Sequence, residues 1–383
     1  MNNQILVISF GNYEIKVLVG VKVNKKIIPL YSNSFWTNSS IINSKIENKI
    51  FLLTKLNEIF IDIKNKLNYL PKKTIFNIPL DELNIREKRS NTYIIKQPLE
   101  KGFWKKIFSE VNISNISIKN YYCIGKKVTK WNINGVDFLV APYGRIGELS
   151  FNIQLFLIKK EDINCYLELF NELNFKNYEI VTDEIVMSNA LQKNNFIEQA
   201  IINIGDKKTT ISLYYNHSLA KTLGYDFGIK KLTSEISEII DVNEEQAITM
   251  LKDYNDYILI KESTNYLNLN MNINDLPFAI SFKKNIVNFN VLNLKKMNKI
   301  IKKWINELAN IINDFSLQIQ NNSLDIEELY IMTVANIFNY WSPYLKKELK
   351  FSTNCHVIDS GNDALFENKY LSLKYCLVHS ELE

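Results

Sequence analysis

Two short stretches hold the residue types that could do chemistry. ISFGNYEIKVLVG (8–20) reads as a strand, a glycine turn and a second strand. A glycine turn lets backbone N–H groups approach a bound phosphate, where a side chain beyond Cβ would block it. AIINIGDKKTTISLYY (200–215) repeats the pattern further along the chain. Mg²⁺ at such a site wants hard oxygen ligands, with one or two carboxylates among them. The first turn offers Ser9, Gly11, Asn12 and Tyr13, and the second Asn203, Gly205, Asp206, Lys207, Lys208 and Thr209. Ser9 and Asn203 carry no charge, and Tyr13 is bulky enough to occupy the space of a phosphate. Lys207 and Lys208 have two readings. Their ammonium groups could neutralise a phosphate as point charges in place of magnesium, or they are solvated turn residues, which is the preferred reading.

Other reactive side chains read quietly. His217, His356 and His379 sit in no metal-binding spacing. Cys123, Cys165, Cys355 and Cys376 form no CxxC pair, so reduced thiols are expected and neither a disulfide framework nor a zinc site. Glu244 and Glu245 stand at a helix start, where the helix dipole favours negative charge. Trp104 and Phe103, next to a lysine pair, have two readings, an exposed contact or buried side chains, and burial is the preferred one.

The elements that position the hairpins follow from periodicity. Strands at 5–10, 15–23 and 27–36 suggest an antiparallel meander. A helix follows at 46–70, with Ile50, Leu53, Leu56, Phe60 and Ile63 expected on one face. TIFNIPL (74–80) is a buried strand. Residues 100–111 form a short helix, 128–135 a strand ending in an Asn-Gly hairpin turn, 162–175 a helix, and 178–193 a strand and a helix. A second meander spans 200–228, followed by helices at 227–242 and 244–254. The stretch 256–290 is rich in asparagine and irregular, with strands near IKES and ISFKK. The clearest helix is 295–320, with Ile300, Ile301, Trp304, Leu308, Ile311, Ile312 and Phe315 as its core stripe. A buried strand running into a loop over 328–338, a strand near CHVID and a C-terminal segment complete the chain. Two meanders of the same grammar suggest an internally duplicated α/β fold.

The chain has 383 residues, which implies more than one core. Hydrophobic residues make up 46% and charged residues 23%, the balance of a globular protein. No apolar run reaches the ~18 residues a membrane-spanning helix needs, and no export signal is evident. The formal charge is +5, but Arg86, Arg89 and Arg145 are the only arginines. Arginine is the preferred side chain for bidentate contacts to phosphates and bases, and the lysines are scattered, so no nucleic-acid partner is expected.

The blocks together resemble the actin-like ATPase superfamily and, within it, the bacterial cell-division protein FtsA. ILVISFGNYEIKVLVG resembles the first hairpin of that family. VTKWNINGVDFLVAPYGRIGELSFNIQLFLIKKEDI (128–163), with Pro142, Gly144 and Gly147, resembles a segment peculiar to FtsA. AIINIGDKKTTISLYYNHSLAKTLGYDFGIKKLTSEIS (200–237) resembles the second hairpin.

The resemblance implies two duplicated halves around a central cleft. The first half is 1–81, continued at 163–198, and an FtsA-type inserted subdomain is 82–162. The second-half core is 199–235, continued at 321–383, and a smaller subdomain is 236–320. It places the hairpin aspartates at Ser9 and Asn203, the ribose contacts at Ile248 and Leu251, and the glycine pair beside the base at Val334 and Ala335. All are degenerate here. The expectation is therefore a scaffold with no catalytic residue, no metal and no cofactor, with Mg-ATP kept as the alternative. Implied partners are FtsZ, further copies of the chain in a polymer, later division proteins at the inserted subdomain, and the membrane. The membrane contact would run through a C-terminal helix not visible in this chain or through a partner. The implied location is the cytoplasmic face of the membrane at the division site. The rivals are a pilus-assembly or other scaffold without FtsZ, and a kinase of the sugar or acetate kinase type.

Overall fold

The computed structural model describes residues 4–23, 26–80, 82–100, 120–190, 198–215, 218–251, 291–320, 326–333, 342–358 and 371–379. The expected helix over 100–111 with Phe103 and Trp104, the strands within 256–290, and His217, Val334 and Ala335 lie outside them.

The first sheet is built from β1 (Gln4–Ser9), β2 (Glu14–Val23), β3 (Lys26–Trp36), β6 (Lys73–Asn77) and β12 (Tyr178–Val181), in the order β12-β6-β1-β2-β3. The meander β1-β2-β3 is antiparallel, while β6 and β12 join in parallel on the other side of β1. The small ladder β4 (Ile41–Ile42) and β5 (Lys45–Ile46) follows the meander. Nearly every residue of β1 is buried, as expected for a central strand covered on both faces.

Helix α1 (Lys49–Leu67) starts where Asn48 Oδ1 accepts from Phe51 N at 3.0 Å. It buries Leu52, Leu56, Ile59, Phe60 and Ile63. The expected face included Ile50, which is instead 77% exposed. Ile50 lies in the first turn, about 160° around the helix from Leu52 at ~100° per residue, so the stripe begins at Leu52. Helix α2 (Lys160–Glu172) packs Phe170 flat on Phe76 of β6, with ring centroids 3.6 Å apart. Phe10, leaving β1, joins the same aromatic group.

Between β6 and α2 lies a second sheet of five strands: β7 (Asn84–Arg89), β8 (Tyr93–Ile95), β9 (Tyr121–Ile133), β10 (Val136–Phe138) and β11 (Gly147–Lys159). Its order is β10-β9-β11-β7, with β8 also paired to β11. The Asn-Gly turn between β9 and β10 forms as expected, with Asn134 at φ 52° and Gly135 at φ 82°. Asn134 then bridges to the next strand: its Oδ1 accepts from Glu148 N at 2.8 Å and its Nδ2 donates to Ile146 O at 3.3 Å. Gly147 sits against that side chain at φ 132°, where any Cβ would collide with it.

The third sheet contains β13 (Glu198–Ile204), β14 (Thr209–Tyr215), β15 (Ser218–Tyr225), β16 (Glu328–Thr333) and β17 (Asn354–Ile358), in the order β15-β14-β13-β16-β17. Its logic repeats that of the first sheet. Three consecutive strands lie side by side, and two later strands join in parallel beyond the first of them. Helix α3 (Asp183–Ala190) follows β12 of the first sheet, and the helices here are α4 (Ile229–Ile240), α5 (244–251), α6 (Val291–Gln320) and α7 (Ser342–Glu348). Along α6 the expected stripe is buried at Ile300, Ile301, Trp304, Leu308, Ile312 and Phe315, and Ile311 is half-buried.

The chain forms two compact units. One comprises residues 1–198, 212–223 and 362–383, the other 199–211 and 224–361. Helix α8 (Leu371–His379) belongs to the first unit, where Leu373, Cys376 and Leu377 pack with Ile5, Val7, Leu18, Ile75, Val181 and Val186. It crosses β2 at Gly20, where a Cβ would collide with the Leu377 side chain.

Candidate functional site

In the first unit, β1 delivers Ser9 to the end of the sheet and the chain turns through Phe10, Gly11, Asn12 and Tyr13 into β2. Gly11 is required by space, since a Cβ would lie 2.7 Å from Glu14 O. Three acceptor oxygens of the turn are engaged by the chain itself. Asn12 Oδ1 accepts from Ser44 N at 3.0 Å, and Asn12 O accepts from Thr37 Oγ1 at 2.6 Å. Tyr13 O accepts from Thr37 N at 2.9 Å. The Tyr13 ring stands edge-on to Trp36, with centroids 4.1 Å apart.

Ser9 leads to two residues that the sequence reading missed. Asn77, at the end of β6, donates from Nδ2 to Ser9 Oγ at 3.1 Å and to Asp183 Oδ1 at 2.7 Å. Asp183 opens α3 directly after β12. The available signal was positional: both residues stand at the C-terminal ends of parallel strands, where open α/β sheets carry ligands. The next residue, Glu184, has its carboxyl pushed above the usual range by burial and by the neighbouring Asp183 carboxylate. Its backbone carbonyl accepts from the buried Tyr214 hydroxyl at 2.7 Å, and burial raises that phenol well above its ordinary value.

In the second unit, the turn of β13-β14 is closed by Gly205 N donating to Lys208 O at 2.9 Å. The Gly205 and Asp206 carbonyls then accept from Ile229 N at 3.1 Å and Lys230 N at 2.8 Å. These are the first N–H groups of α4, which a phosphate at that helix end would need. Gly228 permits the approach, because a Cβ there would strike Asp206 O. Thr209, fully buried, donates its hydroxyl to Phe227 O at 2.6 Å. Lys207 is exposed and Lys208 half-buried. Burial raises the Asp206 carboxyl, Lys230 and Lys207 pull it down, and Glu244 adds to the rise.

Helix α5 is capped reciprocally. Asn243 Oδ1 accepts from Gln246 N at 2.9 Å, and Gln246 Oε1 accepts from Asn243 N at 3.0 Å. Ile248 is half-buried and Leu251 buried, so neither offers a polar atom to a ribose. Among the described residues no group of three or more His, Cys, Asp or Glu side chains could hold a metal. None of the described helices is long and apolar enough to cross a membrane.

Solved structures decide the fold. A chain of the PilM–PilN type IV pilus biogenesis complex matches with a TM-score of 0.60 at 10% identity, over 99% of this chain and 98% of that one. The ethanolamine utilization protein EutJ from Carboxydothermus hydrogenoformans matches at 0.53 and 10% identity, over 99% and 90%. MreB5 of Spiroplasma citri bound to ADP matches at 0.51 and 7% identity, over 99% and 96%. This chain has the actin-like ATPase fold. No protein-family model matches it, and neither does any curated protein compared by sequence.

The fold family implies a magnesium-bound nucleotide, and the residues present do not fit one. The hairpin positions Ser9 and Asn203 lack carboxylates. The Asn12 amide and the Thr209 hydroxyl are already bonded within the chain, as are the first N–H groups of α4. This actin-like fold therefore carries phosphate-type hairpins in which the Asn12 amide oxygen, the Thr209 hydroxyl and the first N–H groups of α4 are bonded within the chain.

Proposed function

We propose that this chain is an actin-like assembly scaffold that works through protein contacts and does not hydrolyse ATP. One observation carries this reading: the surviving hydroxyl of the second hairpin, Thr209, is buried and committed to Phe227 O at 2.6 Å. A hydroxyl in that position has no lone task left for a phosphate. The FtsA-type motif blocks around Pro142, Gly144 and Gly147 support the finer reading. In it, the chain polymerises, engages FtsZ filaments, meets later division proteins through the inserted sheet and is held at the cytoplasmic face of the membrane.

The pilus-type reading is favoured by a different observation, the match to the PilM–PilN complex over 98% of that chain. Co-sedimentation separates the two. Under the FtsA-type reading, FtsZ polymers from the same organism carry this chain into the pellet with or without ATP. An empty pellet under every nucleotide condition, together with capture by a PilN-type partner, would favour the pilus-type scaffold. Release of phosphate from Mg-ATP above the buffer rate would overturn the scaffold reading itself.

A further inference from the structure

The centre of the first sheet carries an arrangement that a metal site does not require. Strands β12, β6 and β1 are neighbours and parallel, so their C-terminal ends lie together. Asn77 ends the middle strand. The backbone here already ties both neighbours, since Phe10 N donates to Asn77 O at 2.8 Å and Ile78 N of the next residue donates to Val181 O at 3.0 Å. The Asn77 side chain does so again. An amide nitrogen has two hydrogens, and here each has its own acceptor: Ser9 Oγ on the β1 side at 3.1 Å and Asp183 Oδ1 on the β12 side at 2.7 Å. The opposite amide orientation would set a carbonyl oxygen against a carboxylate, so charge fixes the nitrogen in place. Asn77 is 3% exposed. Its Oδ1 is buried and has no hydrogen-bond partner among the described residues. Asp183 occupies the first turn of α3, where the helix dipole favours a negative charge.

We infer that the Asn77 amide is a built-in brace, replacing in the first unit the cross-strand tie that a metal-bound phosphate would supply. The inference rests on the proposed non-hydrolytic scaffold and explains how such a hairpin keeps its shape without a ligand. The brace makes Asn77 a positioning residue and leaves the sheet end pre-organised.

Thermal unfolding of the full chain tests it. Wild type is expected to melt at the same temperature with and without millimolar Mg-ATP or Mg²⁺ alone. Asn77→Ala is expected to lower the melting temperature by about 5–10 °C, and Ser9→Ala, which removes one acceptor, by about 2–4 °C. Asp183→Asn keeps an acceptor oxygen and falls between them. In Asn77→Asp two carboxylates confront each other, and Mg²⁺ or Ca²⁺ alone should recover several degrees that wild type does not gain. Should Asn77→Asp fail to fold, the Ser9→Ala and Asp183→Asn shifts still decide. The brace is overturned if Ser9→Ala and Asp183→Asn both melt as wild type does, or if a folded Asn77→Asp gains nothing from divalent cations. A wild-type rise with Mg-ATP would overturn the brace, and phosphate release alongside it would overturn the scaffold reading as well. Failure to pellet with FtsZ leaves these melts untouched.

Discussion

At the residue scale, the clearest consequences come from buried polar atoms with a single partner. Thr209→Val keeps the volume of the side chain but leaves Phe227 O without its 2.6 Å donor. A buried carbonyl stripped of its partner costs about 1–3 kcal/mol, so the urea midpoint should fall while the slope of the transition holds. Lys127 pairs with Gln154 across β9 and β11, and burial holds its amine down at about 8 instead of 10.5. The folded pKa is thus below the unfolded one. Protonation of this lysine opposes folding in full below about pH 8, and the opposition fades as the pH rises towards 10.5. Lys127→Met is expected to stabilise the chain at pH 7 by roughly 2 kcal/mol, and to flatten the rise in melting temperature expected of wild type above pH 8. An unchanged slope would show that the charge is better solvated than its surroundings suggest.

At the element scale, local chemistry was legible and long-range chemistry was not. The Asn134-Gly135 turn, the two glycine hairpins and the stripe of α6 could all be read from neighbouring residues. Each is set by steric or periodic rules acting over a few positions. The face of α1 was read with Ile50 included, because a first-turn apolar residue looks the same in sequence whether or not a partner lies over it. The Asn77–Asp183 bond joins residues 106 positions apart, and no local pattern announces it. The same holds for the Gly20–Leu377 contact, which couples β2 to α8 across most of the chain. Gly20→Val should lift α8 from the sheet. The expected result is a lower melting temperature together with new proteolytic cleavage within 371–379, whereas the same substitution at exposed Gly135 should leave that region protected. Removing the α5 cap with Asn243→Ala should cost about 1 kcal/mol, read by chemical denaturation.

For the whole molecule, the repeated order of the first and third sheets made the fold recoverable from sequence. Two meanders announced themselves by the same strand and turn grammar, and the later parallel strands of each sheet read as apolar runs. What the hairpins do was less legible, because loss of a carboxylate at Ser9 or Asn203 says only what is missing. The structure adds what replaced it: amide, hydroxyl and helix N–H groups bonded inside each unit. Restoring acidity alone should therefore fail. Ser9→Asp combined with Asn203→Asp is expected to release no phosphate from Mg-ATP, since Asn12, Thr209 and the start of α4 remain occupied. Phosphate release by that double variant would mean those bonds open readily.

The seat of α8 has a consequence for synthesis. Leu373, Cys376 and Leu377 close a core whose other walls, among them Ile5, Val7 and Leu18, are translated first. Strands β1 and β2 must therefore leave the ribosome with an apolar face uncovered and wait until residues 371–379 have been made. During that interval a chaperone is the natural cover for the face, and nascent chains stalled before residue 371 should be the ones that bind it longest.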